Sequence, residues 1–252
     1  MKYVFTFCFL FLFFSLMPAG FLCRSAYSLP IAVPEKLTYE LSWEGVYAGT
    51  STLSISRDGN GGYRIVSTAK SADYISVFYK VRDMIESITK PNTFASASYR
   101  IESHEGSHVK DLGVIFPGLD GRKVTAYIDY LGRPGKQEKD FKTPAGVMDP
   151  LSSFFYVRTL PLVVGRPVHV TIFDDEKVWN VEVQVLRKER VQTWAGTFNT
   201  IVIRPVMKSS GIFRRHGDIY IWLTDDARRM PVMLESKVKI GSIKAVLQKV
   251  SY

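Results

Sequence analysis

From residue 36 onward, apolar and polar residues alternate with a period of two, the pattern of strands with one face buried in a sheet. Leu37, Tyr39, Leu41 and Trp43 point one way and Thr38, Glu40 and Ser42 the other. Glu44-Gly45 turns the chain, and residues 46–56 read as the returning strand. Asp58-Gly59-Asn60-Gly61-Gly62 is the strongest hairpin signal, because Gly and Asn tolerate the positive φ that a tight turn demands. Further strands are predicted at 63–70, 81–89, 94–103, 109–116, 123–130, 168–173, 178–187, 198–206, 218–223, 231–240 and 243–252. Residues 73–78 read either as a short helix or as irregular chain. Residues 131–146, rich in Gly, Pro and Lys, read as a mobile loop crossing an end of the sheet. Turns recurring about every 8–12 residues are the all-β signature. A sheet of about a dozen strongly twisted strands curls or closes. The expected fold is therefore all-β, a large curled antiparallel sheet or barrel formed as a single domain over residues 29–252, with one short helix packed at its opening.

That helix is the one clear break in the alternation. In the stretch from Met148 to Pro167, Asp149 is a good N-cap and Pro150 suits the first helical position, where its missing N–H costs nothing. Leu151, Phe154 and Phe155 then fall at i, i+3 and i+4 and make an apolar stripe. Leu160-Pro161 stops the helix, since a proline disfavours the α region at the residue before it. Two adjacent phenylalanines on so short a helix need a partner surface, and the sheet is the one on offer.

The first 28 residues change the compartment. Lys2 precedes an apolar run from Tyr3 to Met17, and Ala26-Tyr27-Ser28 is a small-x-small cleavage site, the order of a secretory signal peptide. The run is shorter than the roughly 20 apolar residues a spanning helix needs. Leu22 is too large to precede a lipidated cysteine at Cys23. Both cysteines, Cys8 and Cys23, fall within this segment, so a mature chain from Leu29 has no disulfide or thiolate metal site. The formal charge of +9 becomes +7 once Lys2 and Arg24 are removed. A basic exported protein can meet lipid head groups or an anionic envelope, although the same charge can simply be a solvated surface. No Lys/Arg cluster is dense enough to indicate nucleic acid.

Chemistry is harder to find. His104 and His108 have HxxxH spacing, but they flank Glu105-Gly106-Ser107 between two strands. On an extended strand, i and i+4 lie roughly 13 Å apart, too far to share a metal. Asp225-Asp226 beside Arg228-Arg229, and Asp174-Asp175-Glu176, read as polar turns before they read as acid/base pairs. No nucleophile elbow, P-loop or dinucleotide fingerprint is present, and no cofactor is expected. Aromatics are spread over many strands and the helix. Most must fill a core, but a curled sheet under a helix also has a concave apolar face suited to a lipid-like ligand. The candidate ligand-binding residues are Trp43, Tyr47, Phe154, Phe155 and Trp222. The last strand alternates and ends on Tyr252, as strands of outer-membrane barrels do. A lipid-facing band must be free of charge at mid-depth, however, and Arg82-Asp83 and Glu86 break that condition.

Four stretches together carry a resemblance. Residues 39–50, YELSWEGVYAGT, come first, followed by Tyr79-Lys80-Val81-Arg82-Asp83 and by Asp149-Pro150-Leu151-Ser152-Ser153-Phe154-Phe155-Tyr156. The fourth is Trp222-Leu223-Thr224-Asp225-Asp226 with Arg229-Met230-Pro231-Val232. In this order they resemble the exported bacterial family of unknown function numbered 3108. The resemblance implies a Gram-negative envelope protein and supplies no catalytic residues. The function expected is a non-enzymatic periplasmic binding or envelope-assembly protein that holds an apolar or lipid-like small molecule, with peripheral contact to membrane or envelope components. The alternatives are an outer-membrane-associated structural protein and, further off, a hydrolase of envelope polymers.

Overall fold

The computed structural model describes residues 30–117, 123–129, 137–174, 176–207, 218–237 and 241–252; the segment read as a signal peptide lies outside them. The alternating stretches form a 14-stranded antiparallel sheet. Its first half is a meander of β1 (Glu35–Trp43), β2 (Val46–Arg57), β3 (Tyr63–Ser71), β4 (Val81–Thr89), β5 (Ser96–Glu105), β6 (His108–Ile115), β7 (Lys123–Asp129) and β8 (Gln137–Lys142). A four-residue helix, α1 (Asp73–Ser76), precedes β4 and settles the ambiguity of that stretch. After α2 (Pro150–Arg158) comes a second meander of β9 (Val168–Asp174), β10 (Lys177–Thr193), β11 (Gly196–Met207), β12 (Ile219–Thr224), β13 (Pro231–Lys237) and β14 (Ser242–Ser251). The spatial order is β8-β7-β6-β5-β4-β3-β2-β1-β14-β13-β12-β11-β10-β9. The two meanders are joined through β1 and β14, with Leu37 opposite Val250. The two edges, β8 and β9, are joined in sequence through the helix.

The sheet curls until those edges nearly meet, but the ladder does not close. Phe141 of β8 lies against Phe173 of β9 with ring centroids 5.1 Å apart, and Phe173 also meets Phe116 edge-on. Lys139 of β8 reaches Glu176, just beyond β9, at 3.0 Å. The free edge of β9 is covered at one point by the approach to the helix. There Met148 N–H donates to the Thr171 carbonyl, and Phe173 N–H donates to the Met148 carbonyl at 2.8 Å. Side chains and a short parallel bridge thus replace the missing ladder between β8 and β9.

Strand β8 corrects one expectation. The composition of residues 131–146 predicts a mobile loop, yet residues 137–142 form an edge strand, and residues 131–136 lie outside those described. Four of its six residues, QEKDFK, are charged. An edge strand is kept from pairing with other chains by charge, and the same charge hides its alternation in the sequence. Elsewhere the predicted strands lie within a few residues of the observed ones, with β10 running on to Thr193 rather than ending at 187.

The curled sheet has two unlike ends. At one lie the starts of β1, β3 and β5, the ends of β2, β4 and β14, and the β12–β13 turn; α2 crosses this end. At the other lie the β1–β2 turn, α1 and the chain that follows it, and the starts of β12 and β14.

Candidate functional site

Helix α2 is held at both termini by buried polar groups. Asp149 is fully buried and caps the helix, accepting from Leu151 N–H at 2.8 Å and Ser152 N–H at 2.9 Å. Its other carboxylate oxygen accepts from Ser87 of β4 at 2.6 Å and Ser96 of β5 at 2.5 Å. Ser96 Oγ in turn accepts from Asp149 N–H and shares a hydrogen bond with Ser152 Oγ. Burial raises the Asp149 carboxyl above the ordinary carboxylate range, against the pull of the donors from Ser87, Ser96 and Ser152.

At the other terminus Arg158, in the last turn of the helix, is 1% exposed. Its guanidinium pairs with the equally buried Glu35 of β1 at 2.8 Å, donates to the carbonyls of Arg228 and Arg229, and lies 4.8 Å over the Phe155 ring. A cation here also complements the negative end of the helix dipole. The helix is therefore pinned to β4 and β5 at its start, and to β1 and the β12–β13 turn at its end.

Above this floor the curled sheet encloses a cavity of about 500 Å³. Phe154, Leu151 and Val157 of the helix form its base, and Leu53, Ile85, Val181, Ile203 and Leu234 stand on its walls. The volume falls in the range of small-molecule sites, roughly 300–1,000 Å³. Few polar side chains line it, and most are occupied. Tyr39 donates to the Pro231 carbonyl at 2.9 Å, Ser51 to the Thr68 carbonyl at 2.7 Å and Ser153 to the Pro150 carbonyl at 2.8 Å. Burial pushes both the Tyr39 and the Tyr99 phenols up, so neither is an acid at ordinary pH. Among the described residues no carboxylate or histidine lines the wall. The described wall is therefore apolar, with no general base among its residues next to a nucleophile. Ile219, on the wall away from the helix, is still 36% exposed, so the cavity reaches solvent at the end opposite α2.

The structure does not bring the five candidate residues together. Phe154 alone lines the cavity. Phe155, fully buried, turns into the core beneath Arg158. Trp222 is buried one residue out of phase with the wall residue Ile221, and its indole N–H donates to Glu189. Trp43 and Tyr47 stand exposed at the rim of the open end. Most of the wall comes from β-branched and leucine side chains and from Ser51 and Ser67, which sequence reasoning passed over. Their shared signal is strand phase: Leu53, Ser67, Ile85 and Ile203 occupy inward positions in paired strands. His104 and His108 stand on paired strands β5 and β6, and among the described residues no group of three His, Cys, Asp or Glu could hold a metal ion. No described helix is long and apolar enough to cross a membrane.

Comparison with known proteins agrees with this architecture. The family model described as "Protein of unknown function (DUF3108)" matches residues 38–248. A β-barrel-like protein of the domain of unknown function DUF1849 from Brucella abortus superposes with a TM-score of 0.59 at 11% identity, covering 88% of this chain and 98% of its own. An exported protein with a YmcC-like fold from Bacteroides fragilis gives 0.34 at 10% identity, over 89% of this chain and 98% of its own. A lipoprotein from Parabacteroides distasonis gives 0.33 at 12% identity, over 88% and 97%. The first match shares the fold; the other two superpositions are too loose to bear on it. No curated protein matches the chain.

Proposed function

We propose that this chain, which belongs to the DUF3108 family, is a non-enzymatic envelope protein that carries an apolar, lipid-like molecule inside its curled sheet. The observation that supports this reading is the apolar cavity of about 500 Å³, floored by a helix pinned at both ends and open at the other side. A core built only for stability leaves few voids larger than a water molecule. Retaining a space of this size forgoes packing energy, which a ligand would restore on binding. The secretory pattern of residues 1–28 supports a periplasmic location.

The experiment uses an apolar fluorescent dye, N-phenyl-1-naphthylamine, and the variant Ser67→Phe. Ser67 lines the wall on β3, and a phenyl ring there would fill the space. The wild-type protein should take up the dye, and Ser67→Phe should weaken uptake at least tenfold while melting no lower than wild type. No uptake by the wild type, or equal uptake by both, would overturn the reading.

A further inference from the structure

The open end carries an exposed apolar surface that the cavity alone does not explain. Three residues after α1, Val77, Phe78 and Tyr79, project from the chain, with Val77 77% and Phe78 89% exposed. Beside them stands the β1–β2 turn with Trp43, Val46 and Tyr47, all exposed. The two segments form one surface. Tyr74 of α1 donates its hydroxyl to the Tyr47 carbonyl, and Ala72 N–H donates to the Ala48 carbonyl at 2.8 Å. The loop is held in this pose from within. Phe78 and Tyr79 N–H both donate to the Ile75 carbonyl, and the Tyr79 ring lies so close to Gly106 that a Cβ there would sit 2.9 Å from it. A phenylalanine nearly fully in water on an ordered loop gains nothing for the fold.

The charge beside it indicates what covers it. Lys70, Lys80 and Arg82 are exposed next to the loop, and Lys80 and Arg82 make no ion pair among the described residues. Lys70 makes a long contact of 3.9 Å to Asp73. Aromatic rings flanked by cations suit the boundary between lipid head groups and acyl chains: the rings enter the apolar layer while the cations meet the phosphates. We infer that the Val77–Tyr79 loop and the Trp43–Tyr47 turn form a docking surface for an anionic lipid bilayer, placing the mouth of the cavity against the membrane. The inference builds on the carrier reading, since a cavity opening onto a bilayer exchanges apolar cargo without carrying it through water.

The test is co-sedimentation with phosphatidylcholine vesicles, with and without phosphatidylglycerol. The mature wild-type chain should bind the phosphatidylglycerol vesicles. V77S/F78S should bind them at least about tenfold more weakly, as expected for removing apolar area from the interface. K80E/R82E should lose the preference for phosphatidylglycerol. Trp194→Ser, which removes an exposed tryptophan from the β10–β11 turn at the closed end, should bind as wild type does. Every variant is at the surface and should melt with the wild type. Equal binding by wild type and V77S/F78S overturns the inference. So does a concentration-dependent dimer, seen by sedimentation velocity without vesicles, that V77S/F78S abolishes, because the surface would then be a self-interface. Dye uptake separates the two readings: V77S/F78S should take up N-phenyl-1-naphthylamine as wild type does. Loss of vesicle binding with dye uptake intact bears on docking alone, whereas loss of dye uptake in Ser67→Phe bears on the cavity alone.

Discussion

The two ends of the curled sheet are built on opposite principles. At the end crossed by α2, charged and polar groups are buried against one another: Arg158 with Glu35, and Asp149 with Ser87, Ser96 and two backbone amides. At the other end, aromatic side chains stand in water with cations beside them. In the ordinary distribution of residues, charge lies outside and large apolar groups inside, and each end inverts half of that rule. The inversion at the helix end fixes one geometry, because a buried ion pair and a buried carboxylate each tolerate few arrangements of their partners. The inversion at the open end leaves surface energy uncollected until something binds.

The largest effect should come from breaking the helix end. Arg158→Met leaves Glu35 buried without its partner and should cost about 3–5 kcal/mol, read by thermal or urea unfolding. The double variant Arg158→Met with Glu35→Leu should recover most of that loss, because two apolar side chains no longer strand a charge. If the double variant is as unstable as the single, the pair matters for its shape rather than its charge.

Next comes the contrast between two neighbours on the helix. Phe155→Ala removes a fully buried ring and should cost about 3–5 kcal/mol. Phe154→Ala enlarges a space already open and should cost only about 1–2 kcal/mol, while changing dye uptake more than Phe155→Ala does per unit of stability lost. Equal costs at the two positions would mean that the cavity closes over Phe154 in solution.

A smaller effect concerns pH. Burial raises the Asp149 carboxyl, so the folded protein holds that proton more tightly than the unfolded chain does. Its contribution is then fully present below the ordinary carboxylate pKa and is lost as pH rises through the raised value. Asp149→Asn keeps a capping acceptor and removes the titration. Unfolding curves measured from acid to neutral pH should show wild type losing stability relative to Asp149→Asn across that window. Parallel curves would place the carboxyl at its ordinary value.

The smallest effect is at the open end. Phe78→Ser should shift unfolding by no more than about 0.5 kcal/mol, since the ring buries little in the fold. A larger loss would show that the ring packs against something in solution and that the two ends differ less than their exposures indicate.

Legibility in the sequence followed the same division. Strands with one wet face declare themselves by alternation, and α2 declared itself through Asp149 and Pro150, because a cap and a first-turn proline are local signals. Strand β8 was missed because its charges masked the alternation. The cavity was only partly legible. Sequence reasoning picked the largest rings, yet a wall facing empty space is made by whichever residues share a phase, and that phase is fixed by pairings between strands remote in sequence. The Arg158–Glu35 pair spans 123 positions, and nothing local at either residue marks it. Trp43 and Tyr47 were found for their size and turn out to stand at the rim rather than within.

The order of strands also bears on when the fold can form. Among the described strands every pairing joins neighbours in sequence except β1 with β14. Each meander can assemble from hairpins as its residues become available, at the low entropic cost of short loops. The two meanders gain their shared ladder only when residues 242–251 pair with β1. A chain threaded from its N-terminus through a narrow passage would keep its two meanders separate until residues 242–251 had emerged. Folding would then be timed by β14, and a protease that removes that strand would leave two half-sheets with exposed edges.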